Sequence, residues 1–320
     1  METTKLKHLK KKTYNLALIG TGKILNKHFE VIKTFNNFRV VAIHSRTEIK
    51  AKKFCAHNHL NPNIYHSKFD DLIKIKNIDA FFICVSVESI DQILNKVLKT
   101  KKPFFIEKPP IVDLKSYSKI NKYINKHNIL NMVGLNRRHY SNLIKIKNSF
   151  DKSGGIQSLQ IEGNERIWQK KNLKNFRKKN WLILNSIHTL DLIFFFCGNL
   201  DKTHIVKTNK NIFSIIGTSK SGVNFSYTTN WNSPGGWNIK IHNDKYYADI
   251  DPLEISILKD RKFNSKMINM SSKDKIFKPG FDLQIRNFYK LLREEKHVFP
   301  SVGIEHCAGL FNLIKKINEK

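Results

Sequence analysis

Short apolar runs alternate with amphipathic stretches over the first 134 residues of the chain. Residues 16–19, 40–43, 63–66, 80–85, 104–106 and 130–134 read as six strands. The segment after Gly22 and residues 48–58, 69–75, 88–98 and 113–126 read as helices, with Asp113 capping the last. Near-continuous apolar strands separated by helices predict a parallel sheet covered on both faces. The pattern changes after about residue 136. Residues 140–150 are amphipathic, 156–167 alternate as a strand does, and 181–196 form an apolar stretch long enough for a buried helix that stops at Gly198. Five strand-like runs follow between residues 203 and 258, separated by Gly222, Pro234-Gly235-Gly236 and Asn243-Asp244, and predict a mostly antiparallel sheet. Residues 262–277 read as a polar loop, and two helices, 281–294 and 302–316, close the chain. The expected fold class is therefore α/β. A Rossmann-type domain with a parallel sheet (13–137) precedes an α/β domain with an open, mostly antiparallel sheet (138–320).

The turn after the first strand carries Gly20-Thr21-Gly22-Lys23-Ile24. Strand, glycine turn and helix, in that order, suit a pyrophosphate: Gly20 allows the sharp turn, Gly22 the close approach, and the new helix start favours an anion. The third glycine of the G-x-G-x-x-G fingerprint is Leu25 here, a departure in packing. Two glycines alone fit a plain βα turn equally well. At the end of the second strand stand Ser45 and Arg46, with no carboxylate at the strand tip. A hydroxyl and a cation suit a ribose phosphate, so NADP is favoured over NAD. Arg46 reads equally as one more exposed cation, or as a stack for adenine.

Glu107-Lys108-Pro109 follows the fifth strand at its carboxyl end, where open α/β sheets bind ligands, although on composition alone it is an ordinary tripeptide. Ser86 ends the fourth strand in the same way. In the apolar stretch 181–196, Asn185, His188 and Asp191 are polar, and His188 and Asp191 share a helix face. Either His188 is a core histidine satisfied by a neighbour, or it is a general acid/base oriented by Asp191 or Asn185.

Composition narrows the classes. The formal net charge is +31, yet lysine outnumbers arginine and is spread with Asn and Ile along the whole chain, as AT-rich coding produces. Nucleic-acid binding is therefore not expected, while anionic small ligands are favoured. The four cysteines are scattered without a C-x-x-C pair, so no metal cluster or disulfide framework is expected. No apolar run spans a bilayer and no signal-peptide pattern opens the chain, which predicts a cytoplasmic protein without a membrane partner.

The ordered set ALIGTGKILNKH, FFIEKPP, MVGLNRRHY, SIHTLDLIFFFCG and KPGFDLQIRNFYKLL resembles the glucose-fructose oxidoreductase, inositol dehydrogenase and rhizopine-catabolism (Gfo/Idh/MocA) family over about residues 14–315. The resemblance implies a bound nicotinamide nucleotide and redox chemistry at a sugar, nucleotide-sugar or cyclitol carbon, with surface-glycan biosynthesis as the accompanying expectation. It also implies a homodimer or homotetramer built through the C-terminal sheet. Carried over by motif, Lys108 contacts nicotinamide and substrate, and His188 is the acid/base. Asn136, Arg138, Asn185 and Asp191 fall to the substrate. Gly20, Thr21, Gly22, Lys23, Ile24, Ser45, Arg46, Ser86, Glu107 and Lys108 fall to the cofactor. There are departures. Leu184 stands where the family often has an acid, four residues before the histidine, and the loop Ser86-Val87-Glu88-Ser89 lacks the family's usual Thr-Pro. Leu184 keeps open a non-catalytic NAD(P)-binding sensor of the same fold.

Overall fold

The structure, a computed structural model, describes residues 13–170 and 173–320. The chain begins with β1 (Tyr14–Ile19), α1 (Lys23–Ile32), β2 (Phe38–His44), α2 (Glu48–His57), β3 (Tyr65–His66), α3 (Phe69–Leu72), β4 (Ala80–Ile83), α4 (Ile90–Leu98), β5 (Phe104–Glu107), α5 (Tyr117–His127) and β6 (Asn131–Gly134). The six strands make one sheet in the order β3-β2-β1-β4-β5-β6, parallel throughout. All residues of β4, β5 and β6 are buried, which is why these strands read as continuous apolar runs. The third strand is shorter than its apolar run, because Pro62 opens a 3₁₀ turn over Pro62–Ile64. Asp113 does cap, but it caps the 3₁₀ turn Leu114–Ser116 that leads into α5, accepting from Lys115 N at 3.1 Å.

Beyond β6 come a 3₁₀ turn (Asn136–His139), α6 (Ser141–Asp151), β7 (Ser158–Gly163) and α7 (Asn175–Lys179). A single π turn (Leu182–Ser186) runs into α8 (Ile187–Cys197), and Gly198 ends the helix at φ +70°. Then follow β8 (Leu200–Asn209), β9 (Ile212–Ser219), β10 (Asn224–Asn230), β11 (Trp237–His242), β12 (Tyr246–Ile250), β13 (Ser256–Asp260) and β14 (Ser265–Met267). The chain closes with α9 (Ser272–Ile276), α10 (Phe281–Glu294) and α11 (Ala308–Glu319). The second sheet runs β14-β13-β12-β11-β7-β10-β9-β8, and only its β7–β10 pair is parallel. The segment expected to be a polar loop instead contains β14 and α9. Every residue of β14 is exposed on the sheet edge, so no apolar alternation marks it. The sheet packs under α8 through small contacts. Gly163 leaves room for Tyr227, whose hydroxyl meets Thr189 at 3.1 Å.

Two compact units result. One comprises the chain up to Gly134 with Leu283–Glu305, the other Leu135–Asp282 with His306–Lys320. A single break at 137/138 therefore misses a return of the chain. The apolar face of α10 needs burial and finds it in the first unit. Phe288 packs 6.0 Å from Phe82 and 5.8 Å from Phe105, whose rings stack at 4.2 Å. Tyr14 Oη donates to Leu292 O, and Asn131 holds both Glu305 Oε2 and Ile304 N. No helix among the described residues is long and apolar enough to cross a membrane.

Candidate active site

The carboxyl edge of the parallel sheet collects the expected nucleotide residues. Gly20 has φ +99°, and a Cβ there would lie 2.3 Å from Cys84 O, so only glycine fits between β1 and the end of β4. Its N–H donates to His44 O at 2.8 Å. Gly22 has ordinary extended backbone (φ −82°) and nothing within 4 Å of a Cβ position, which leaves its face open to a ligand. Helix α1 starts at Lys23 and Ile24 with neither a side-chain cap nor an acidic residue in its first turn, so its leading N–H groups remain available to an anion. Leu25 is fully buried and serves as core where the fingerprint has its third glycine. Thr21 Oγ1 meets Ser45 Oγ at 2.8 Å and ties the turn to the end of β2. Ser45 is buried, and Arg46 next to it is exposed. At the tip of β4, Ser86 O accepts from Ser89 N at 2.9 Å. This donor-rich turn fits a dinucleotide pyrophosphate.

Glu107 is held by neighbouring protein groups. Its buried carboxylate faces inward, with Oε1 at 2.7 Å from His28 Nε2 of α1 and Oε2 accepting from Lys108 N at 3.1 Å. His28 is itself fully buried against the edges of Phe82 and Phe105. Glu107 thus clamps α1 to β5 and fixes the main chain of Lys108. Lys108 is half-buried, followed by buried Pro109 and Pro110.

The second unit gathers its own polar cluster. The 3₁₀ turn Asn136–His139 sends successive side chains in different directions. Arg137 NH1 donates to Asn136 Oδ1 at 2.6 Å and lies 3.2 Å from His188 Nε2, while its guanidinium covers Trp237 at 5.3 Å. Asn136 Nδ2 donates to Pro279 O at 3.0 Å. Arg138 instead turns into the core and makes a two-pronged pair with Asp191, Nε to Oδ2 at 2.9 Å and NH2 to Oδ1 at 2.6 Å. Burial works against the Arg138 charge, but Asp191 outweighs it and holds the guanidinium pKa above its ordinary value. Arg138 and Asp191 are therefore committed to each other, and Asp191 does not orient His188 as expected. His139 is fully buried, which pushes its pKa down to about 3, with the Leu135 carbonyl opposing and Arg138 adding to the fall.

Asn185 is likewise engaged elsewhere than at His188. Its Nδ2 donates to Glu165 Oε2, to which Trp181 Nε1 also donates, while Ser186 Oγ donates to Glu165 Oε1 at 2.6 Å. Glu165 is buried. Three donors from the π turn and the residue before it converge on one carboxylate, which explains why the helix widens there. Sequence reasoning missed Arg137, Glu165 and His28. Arg137 stood beside Arg138 in the quoted LNRRHY. Glu165 was legible only as a lone acid after β7 in a basic stretch.

Residues 14–135 match the family described as "Oxidoreductase family, NAD-binding Rossmann fold". This segment belongs to the Gfo/Idh/MocA oxidoreductase family. Among curated relatives, an uncharacterized oxidoreductase of Bacillus subtilis is 28% identical over 186 residues, 57% of this chain and 53% of the relative. The myo-inositol 2-dehydrogenase of Thermotoga maritima is 25% identical over 136 residues, 42% of this chain and 40% of the relative. The chain thus spans about half the length or less of these relatives. Among solved structures, a dehydrogenase from Clostridium difficile superposes with a TM-score of 0.80 at 19% identity, covering 96% of this chain and 99% of that one. That likeness is one of fold, and it extends the comparison beyond the Gfo/Idh/MocA segment to both units.

Proposed function

We propose that the chain is an NAD(P)-dependent oxidoreductase acting on a CH–OH carbon of a sugar, nucleotide sugar or cyclitol. The carrying observation is the β1–α1 turn, in which Gly20 is required by the fold and Gly22 is left open, inside a segment of the NAD-binding family. The relative named for myo-inositol oxidation supports the substrate class. Ser45 and Arg46 favour NADP over NAD.

A bound nicotinamide nucleotide supplies the hydride acceptor or donor. Gly22 and the start of α1 hold the pyrophosphate. Lys108 offers positive charge to the substrate oxygen and stabilises negative charge developing there. His188 takes the hydroxyl proton at Nε2 in oxidation and returns it in reduction, once the hydroxyl replaces Arg137 at that lone pair. The exposed Val206 and Ile216 on the second sheet support pairing of two copies through this face, which light scattering in solution tests.

The decisive experiment titrates NADPH and NADH onto the protein and then assays His188→Asn and Lys108→Met with a sugar and cyclitol panel. Each variant should lose roughly 10²–10⁴-fold in turnover while nucleotide affinity stays near wild type. Absence of nucleotide binding sinks the proposal, and near-normal turnover removes the residue concerned. Tight binding without turnover by the wild type across the panel would favour the sensor reading that Leu184 motivates.

A further inference from the structure

We propose that the second unit carries a separate site for an organic diphosphate, distinct from the β1–α1 turn. A cavity of about 450 Å³ opens where α7, the β8–β9 hairpin, the end of β10 and the last turn of α11 meet. That volume lies within the range of small-molecule sites and exceeds what a bare inorganic ion fills. Lys178, Lys179, Lys207 and Lys210 line it, and none of the described residues lining it is acidic. The lysines come from separate stretches of chain: two from α7, one from β8 and one from the β8–β9 turn.

Their partnering differs in an informative way. Lys207 is half-buried, and its Nζ donates to Ile317 O at 2.9 Å, which fixes it against the end of α11. Lys178, Lys179 and Lys210 have exposed side chains and make no ion pair or side-chain hydrogen bond among the described residues. Four like charges directed at one cavity repel each other, and an anion bound there relieves that repulsion. Ammonium groups suit a ligand with several anionic oxygens, each able to take a charge-assisted hydrogen bond.

The inner wall is apolar. Phe213 and Trp231 meet edge to face at 6.2 Å and are both buried. Trp231 Nε1 is a buried donor without a partner among the described residues. Cations at the mouth and an apolar wall behind them select a phosphate-bearing molecule with an organic body. The oxidoreductase reading is not needed for this site.

Calorimetric titration of the full chain with uridine diphosphate, pyrophosphate and uridine tests it. Uridine diphosphate should bind more tightly than pyrophosphate, and uridine should not bind. Lys178→Gln/Lys210→Gln should weaken both anions by about tenfold or more, because each lysine contributes a charged contact. Lys119→Gln/Lys122→Gln, which removes the same charge from α5, should leave binding unchanged. Gly22→Val, which blocks the β1–α1 turn, should also preserve this binding. The replaced lysines are exposed, so thermal unfolding of both double variants should match wild type. Lys210→Glu alone provides a second variant at the hairpin turn. Equal binding by wild type and Lys178→Gln/Lys210→Gln overturns the proposal. So does equal weakening by the α5 pair, and so does loss of all binding in Gly22→Val.

Discussion

Arg137 NH1 stands 3.2 Å from His188 Nε2, and a guanidinium can only donate. Nε2 is therefore the acceptor in this pair, and the neutral ring carries its proton on Nδ1. Replacing Arg137 with Met keeps an aliphatic stem against Trp237 but removes the donor. Nitrogen NMR of His188 should then show a shift toward the tautomer protonated at Nε2. With His188 as proton carrier, turnover should fall by up to about 100-fold as the ring loses its fixed orientation. An unchanged tautomer would show that Arg137 does not set it.

Gly20 and Gly22 should separate folding from binding. A Cβ at Gly20 collides with Cys84 O and imposes a strained positive φ, so Gly20→Ala should cost at least about 2 kcal/mol in urea unfolding. Gly22→Ala meets open space and should change stability by less than about 1 kcal/mol. Its effect should appear in nucleotide titrations as a several-fold loss of affinity. Equal stability of the two variants would contradict the geometry.

The Arg138–Asp191 pair is buried on both sides. Asp191→Ala leaves an uncompensated guanidinium in the core and should cost about 3–5 kcal/mol. Arg138→Met/Asp191→Leu removes both charges and should cost clearly less than Asp191→Ala alone. Denaturant midpoints of the three proteins decide the order.

His139 makes the second unit sensitive to acid. In the unfolded chain it takes up a proton near its ordinary pKa of 6.5, whereas in the fold it stays neutral down to about 3. The unfolded state binds more protons across that window, so stability falls as pH falls, by roughly 1.4 kcal/mol per pH unit from this group. Above pH 6.5 its contribution is flat. His139→Asn should unfold with a shallower pH slope between pH 6.5 and 4, measured as urea midpoints against wild type; parallel slopes would rule this linkage out.

What the sequence discloses and what it withholds follow from the range of the interactions. The strands of the first sheet were legible because Phe81, Phe82, Phe104 and Phe105 are buried on both faces, and burial on both faces writes an unbroken apolar run. The glycine turn was legible because its constraint is local. Arg137 and Arg138 are adjacent and identical in type, and only the 3₁₀ turn separates their fates, one at His188 and the other at Asp191. Glu165 meets Asn185 across 20 residues of sequence, through a pairing that no periodicity records. β14 escaped notice because an edge strand exposed on every residue has no apolar face to display.

The return of residues 283–305 to the first unit bears on how this protein is made. A ribosome delivers β1 to β6 early, yet the ring that covers Phe82 and Phe105 is Phe288, and Glu305, the partner of Asn131, arrives later still. The nucleotide-binding half therefore cannot close its core until nearly the whole polypeptide has been synthesised. The second unit, whose strands are complete by Met267, likewise waits for its closing segment, His306–Lys320. A nascent chain halted after β6 would present uncovered phenylalanines to the cell.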